Sequence, residues 1–77
     1  MLDKIRDLLE EYVDVQKEQI TLETNLLNDL GLSSLDVVNI IVAFEDEFGI
    51  EIPDRKLLEI ITVGDIVRML HEEYGIE

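Results

Sequence analysis

The stretch that decides how this chain is read is "DLGLSSLDVV", residues 29–38, where Ser33 and Ser34 stand side by side between a glycine turn and an apolar run. Ser33, with Asp36 three positions on, has the spacing of a helix N-cap. The hydroxyl of such a cap accepts a bond from a backbone N–H left unpaired at the helix start. Ser34 then falls in the first turn with no structural duty. The positive end of the helix dipole favours a negative group there, so the local physics suits a phosphate ester on Ser34.

Working outward, the spacing predicts a helix from about Ser34 to Phe48, closed by Gly49, a residue suited to the left-handed conformation that ends helices. At 100° per residue, Val37, Ile40, Ile41, Phe44 and Phe48 share one face, which must be the core side. A second apolar line, Leu35, Val38 and Val42, runs along the other side, edged by Asp36, Asn39, Glu45 and Asp46. Either a loop or another helix covers that line, or it is an exposed docking strip. A chain this short has difficulty covering both faces of one helix, and apolar patches rimmed by polar groups mark partner sites. Residues 35–54 hold six acids and no Lys or Arg, so acid density peaks on and just after this helix.

The flanking elements follow from the same periodicity. Leu2, Ile5, Leu8, Leu9, Tyr12 and Val13 predict a first helix over roughly residues 2–15. From Gln16 to Ser33 the pattern breaks up into a long loop anchored by Ile20, Leu22, Leu26, Leu27, Leu30 and Leu32. Pro53 and Asp54 can start a short third helix through about Ile60, proline as a tolerated opener and aspartate as the cap. Thr62 and Asp65 form a capping-box pattern ahead of a last helix whose stripe is Val63, Ile66, Val67, Leu70 and Tyr74. The expected fold is all-α and a single domain over residues 1–77, with no repeat and no internal linker.

Composition narrows the function classes. A domain of 77 residues buries only ~60% of the surface of its unfolded chain, which leaves no room for a deep catalytic cleft. Without cysteine there is no disulfide and no thiolate metal site, which fits a reducing cytoplasm. No apolar run approaches the ~20 residues of a membrane span, and the charged start "MLDKIRDLLEEY" lacks the order of a signal peptide. The chain is expected to begin at its natural methionine. A net charge of −13 repels nucleic acid and anionic lipid, points to partners with basic patches and favours a monomer. With 47% hydrophobic residues in clear periods, the acidity does not signal disorder.

Beyond these features, "DLGLSSLDVVNIIVAFEDEFGIEIPD", residues 29–54, resembles the acyl carrier protein family. Its hallmark is Leu-Gly-x-Asp-Ser-Leu, then an acidic helix and Glu-Phe-x-x-x-Ile-Pro. The likeness runs in register over nearly the whole chain. It implies a small four-helix bundle with a long first loop and a short third helix, and a 4′-phosphopantetheine arm donated by coenzyme A to Ser34. It also implies an apolar interior that shelters a thioester-linked chain, with Ile52, Leu57, Ile60 and Ile61 either lining it or simply packing the core. A phosphopantetheinyl transferase would attach the arm, and acyl-transferring and acyl-modifying enzymes of fatty acid, polyketide or related biosynthesis would read the acidic, apolar second helix. Two departures stand out: Ser33 replaces the usual aspartate, removing a charge that the transferase commonly reads, and Asn39, Arg55 and Lys56 replace positions that are commonly acidic. Both suggest a specialised carrier with a dedicated partner.

Rival classes find less support. A serine is a nucleophile only with an activating base or metal, and none is suggested near Ser34. The lone His71 sits among glutamates with no triad, so no catalytic residue and no metal ligand is assigned. No segment fits a calcium-binding loop. An unmodified acidic interaction subunit, and an aminoacyl or peptidyl carrier, stand as alternatives.

Overall fold

A computed structural model of the chain describes residues 1–76. Its three α-helices are α1 (Leu2–Glu10), α2 (Ser34–Phe48) and α3 (Val63–Tyr74), and two 3₁₀ segments, Lys17–Gln19 and Asp54–Glu59, lie in the connections. With the second 3₁₀ segment as the short third helix, this is the expected all-helical bundle. The described residues span 28 × 23 × 20 Å.

α1 is shorter than its periodicity suggested. It stops at Glu10, where the last turn carries no basic residue and Glu10 and Glu11 face the negative end of the helix dipole. The Tyr12 N–H closes onto the Leu9 carbonyl at 2.8 Å, a 3₁₀-type ending. Tyr12 is exposed, whereas Val13 and Val15 pack on the core from outside the helix. Ile5 and Leu9 supply the fully buried face of α1.

The long loop is held by named bonds. Arg6 donates to the Ile20 carbonyl at 2.7 Å, and the Asn25 side chain accepts from the N–H groups of Leu27 and Asn28 at 3.0 and 2.9 Å, an Asx turn. Ile20, Leu26 and Leu32 are buried and Leu30 half-buried, but Leu22 and Leu27 are exposed and do not anchor the loop as expected. The loop also pairs with the chain ahead of α3. Leu26 N–H donates to Ile61 O at 3.0 Å, Val63 N–H to Thr24 O at 3.0 Å and Gly64 N–H to Leu22 O at 2.8 Å. This approach explains Gly64, since a Cβ there would lie 2.9 Å from the Leu22 carbonyl oxygen.

α2 runs over the predicted residues. Val37, Ile40, Ile41 and Phe44 are buried, and Phe48 packs half-buried against Phe44 with ring centroids 6.4 Å apart. Gly49 closes it in the left-handed conformation at φ 65°. The second 3₁₀ segment starts after Pro53 as predicted, but Asp54 does not cap it: Pro53 occupies the cap position and no side chain bonds there. In α3 the Thr62–Asp65 capping box is formed, and Val63, Ile66 and Leu70 are buried together with Met69.

Candidate functional site

The serine pair divides its roles by backbone geometry. Ser33 holds extended backbone (φ −89°, ψ 170°), and its Oγ accepts from the Asp36 N–H at 3.2 Å while Asp36 Oδ2 accepts from the Ser33 N–H at 3.0 Å. Two donors at the mouth of α2 are thereby satisfied reciprocally. Ser34 is the first residue of the helix, is exposed, and its hydroxyl takes no part in that cap. It heads a helix of 15 residues whose peptide dipoles align behind it. An oxyanion attached at this hydroxyl would sit in water at the positive end of α2.

The apolar line beside it is uncovered. Leu35 is 69% exposed, Val38 40% and Val42 48%, so no loop or helix of the described residues closes over them. Asn39 and Asp46 flank the line in solvent. Asp36 and Glu45 are half-buried and have structural work: Asp36 completes the cap, and Glu45 Oε2 accepts from the Ile52 N–H at 2.8 Å. Glu45 thus pins the chain that leaves α2, which the helical-angle count, placing it on the outer rim, did not reveal.

Two further contacts hold the same connection. The Tyr74 hydroxyl donates to the Glu51 carbonyl at 2.7 Å, and Lys56 pairs with Glu73. The Glu73 carboxylate beside it holds the Lys56 ammonium above the ordinary lysine value. Of the residues expected to line an interior, Ile52 and Ile60 are buried and Leu57 is half-buried. Ile61 is 57% exposed and faces away from the interior, because both its backbone groups are used to join Leu26 and Asp65. Period-three spacing in Asp54–Glu59 was the one available signal for which side chains turn out.

Asp65, at the head of α3, is also perturbed. Burial alone would raise it, but the N–H groups of Thr62 and Ile61, each at 2.9 Å, and the Arg68 guanidinium more than offset this and hold it below the ordinary carboxylate range. A crevice of about 190 Å³ between the second 3₁₀ segment and α3 is lined chiefly by charged side chains, Lys56, Glu59 and Glu73 among them, and by no residue of α2. His71 is exposed, and no group of three or more His, Cys, Asp or Glu that could hold a metal occurs among the described residues. No helix of the described residues is long and apolar enough to cross a membrane.

Comparison with known proteins agrees with this arrangement. The family described as "Phosphopantetheine attachment site" matches residues 3–70, a span that includes α2 and its capped start. The chain is 41% identical over 75 residues to the acyl carrier protein of Phenylobacterium zucineum (strain HLK1), covering 97% of this chain and 95% of that one. It is 42% identical over 72 residues to the acyl carrier protein of Helicobacter acinonychis (strain Sheeba), covering 94% and 92%. A helical bundle with a capped serine at the head of an acidic, half-exposed helix, and likeness of this extent, have one reading: the chain belongs to the acyl carrier protein family, whose members carry acyl groups on a phosphopantetheine arm.

Proposed function

We propose that Ser34 is the residue that receives 4′-phosphopantetheine from coenzyme A, and that the whole chain, residues 1–77, acts as one carrier domain in the cytoplasm, as a monomer. The observation that carries this reading is the division of labour in the serine pair. Ser33 is committed to the cap, whereas Ser34 presents an exposed hydroxyl at the positive end of a 15-residue helix. The site fits the group: a phosphodiester at Ser34 would face the dipole's favourable end without displacing a buried bond.

Loading requires a separate transferase. The Ser34 oxygen forms a bond to phosphorus as the pyrophosphate link of coenzyme A breaks and the nucleotide half leaves, and the hydroxyl proton passes to a base on the transferase. When bound, the arm supplies the terminal thiol on which acyl groups ride as thioesters. The chain's own residues supply address and position. Leu35, Val38 and Val42 offer apolar contact to transferase and acyl-handling enzymes, and Asp46 with its neighbours steers basic docking patches toward Ser34. Fatty acid biosynthesis is the usual setting of the family, and Asn39 at the edge of the strip favours a dedicated partner within such a pathway.

Coexpression with a broad-specificity phosphopantetheinyl transferase tests the reading by intact mass. The wild-type chain gains one phosphopantetheine and Ser34→Ala gains none. A wild-type chain that stays unmodified while folded would overturn it.

A further inference from the structure

The sequence carries six Lys and Arg against nineteen Asp and Glu, and five of the six cations are ion-paired within the chain. Lys4 meets Glu47 at 3.1 Å, Arg6 meets Asp3 at 3.3 Å, Lys17 meets Asp7 at 3.0 Å, Arg68 meets Asp65 at 2.6 Å, and Lys56 meets Glu73. Arg55 pairs with no acid among the described residues, although acids outnumber cations threefold. It is exposed on the second 3₁₀ segment.

That segment sorts its side chains by threes, because a 3₁₀ helix has 3.0 residues per turn and residues i and i+3 eclipse. Leu57 faces in, with Ile60 just beyond buried at 8%. Lys56 and Glu59 form the second row, 3.8 Å apart and turned toward Glu73 of α3. Arg55 and Leu58 form the third row, turned out. Leu58 is 86% exposed, more than any other large apolar side chain described, and Ile61, just past the segment, is 57% exposed. The backbone of Ile61 is held on both sides: its N–H donates to Asp65 at 2.9 Å and its carbonyl accepts from Leu26 at 3.0 Å.

An unpaired guanidinium one 3₁₀ turn from an 86% exposed leucine, with exposed Ile61 just past the segment, offers a charged and apolar contact that a partner's carboxylate would complete. We propose that Arg55, Leu58 and Ile61 form a second docking surface, for a partner enzyme that presents an Asp or Glu opposite Arg55 within an apolar patch. Self-association through this row is disfavoured by the −13 charge of each copy. The surface refines the carrier reading above and rests on it. α2, with no cation, addresses basic patches, and this row adds a contact of opposite sign. A partner carrying both is selected over one carrying basic charge alone, by repulsion as well as attraction.

The test uses the full-length, arm-loaded chain with a benzophenone amino acid in place of Leu58, photocrosslinked in host extract, so that mass spectrometry identifies the enzyme and the residue reached. That enzyme is then purified for steady-state kinetics. The proposal expects a crosslink into an apolar patch bearing an Asp or Glu. It expects Arg55→Glu to raise KM roughly tenfold with kcat little changed, Arg55→Gln to give a smaller rise, and reversal of the partner's acid to Arg to restore KM for Arg55→Glu. Loading of both variants by a broad-specificity transferase should match wild type, which reports folding and the carrier reading separately. No enzyme crosslinked at position 58, a contact site without a carboxylate, a crosslink only to a second copy, or an unchanged KM for Arg55→Glu would each overturn it. Failure of the wild-type chain to load would instead count against Ser34.

Discussion

Removing the Glu45 carboxylate should destabilise the domain, although Glu45 belongs to the acidic rim of the proposed docking helix. Its Oε2 accepts from the Ile52 N–H at 2.8 Å in a partly buried setting, and that bond ties the end of α2 to a residue 7% exposed in the core. A hydrogen bond to a charged group contributes about 1.5–3 kcal/mol net, and Glu45→Ala also strands the Ile52 donor. At an unfolding entropy of ~2.1 cal/mol/K per residue, a chain of 77 residues shifts its Tm by ~6 °C for each kcal/mol. Glu45→Ala should therefore lower Tm by roughly 10–18 °C. Glu45→Gln, which keeps a neutral acceptor, should lose about half as much. Thermal unfolding followed by circular dichroism, with urea denaturation to confirm an unchanged m-value, reads both. A Glu45→Ala Tm within ~3 °C of wild type would refute the argument, since it would mean that water replaces the carboxylate at no cost. The same bond makes Glu45→Lys a poor probe of docking, because lost binding would be mixed with lost stability. Asp46, exposed and without such a bond, is the cleaner choice.

Other outcomes follow from the same contacts. Ser33→Ala should cost ~1 kcal/mol in urea unfolding as a lost cap while leaving Ser34 open to loading. Asp65 has a folded pKa below its unfolded value, so its stabilisation is complete above about pH 4 and is lost as pH falls through the folded value. Asp65→Asn should accordingly be less stable than wild type at neutral pH, with the gap closing below about pH 4 in acid titrations of stability. A gap that persists unchanged into strong acid would contradict this sign. Val42, 48% exposed, should tolerate alanine with a stability change within ~0.5 kcal/mol, yet the variant should leave a docked enzyme up to about tenfold faster by surface plasmon resonance.

The parts of the fold that sequence made legible are those in which a few neighbouring residues decide the outcome. Ser33–Asp36 and Thr62–Asp65 each form a capping box within four residues, so the starts of α2 and α3 were readable, and Gly49 fixed the end of α2. The first helix ends sooner than its spacing predicts, because Tyr12 and Val13 keep the helical period while the chain leaves the helix after the acidic Glu10 and Glu11. Pairing of residues 22–26 with 61–64 joins backbones far apart in sequence and leaves no pattern in either segment apart from Gly64. It is this pairing that turns Ile61 outward against expectation. In the candidate site, the Leu35–Val38–Val42 line was visible by helical angle, and the place of Ser34 in the first turn by the Ser33–Asp36 cap spacing. The reach of Glu45 to Ile52 was not, since a long side chain on the rim of a helix can fold back to the loop that follows it.

The central claim is that Ser34, and not its neighbour, bears the arm. Fragmentation of the peptide that spans residues 29–38 from the loaded protein, by electron-transfer tandem mass spectrometry, distinguishes the two serines directly. The account predicts that every fragment containing Ser34 carries the phosphopantetheine mass and that fragments ending at Ser33 do not. Phosphopantetheine on Ser33, or loading of Ser34→Ala at the wild-type rate, would contradict it.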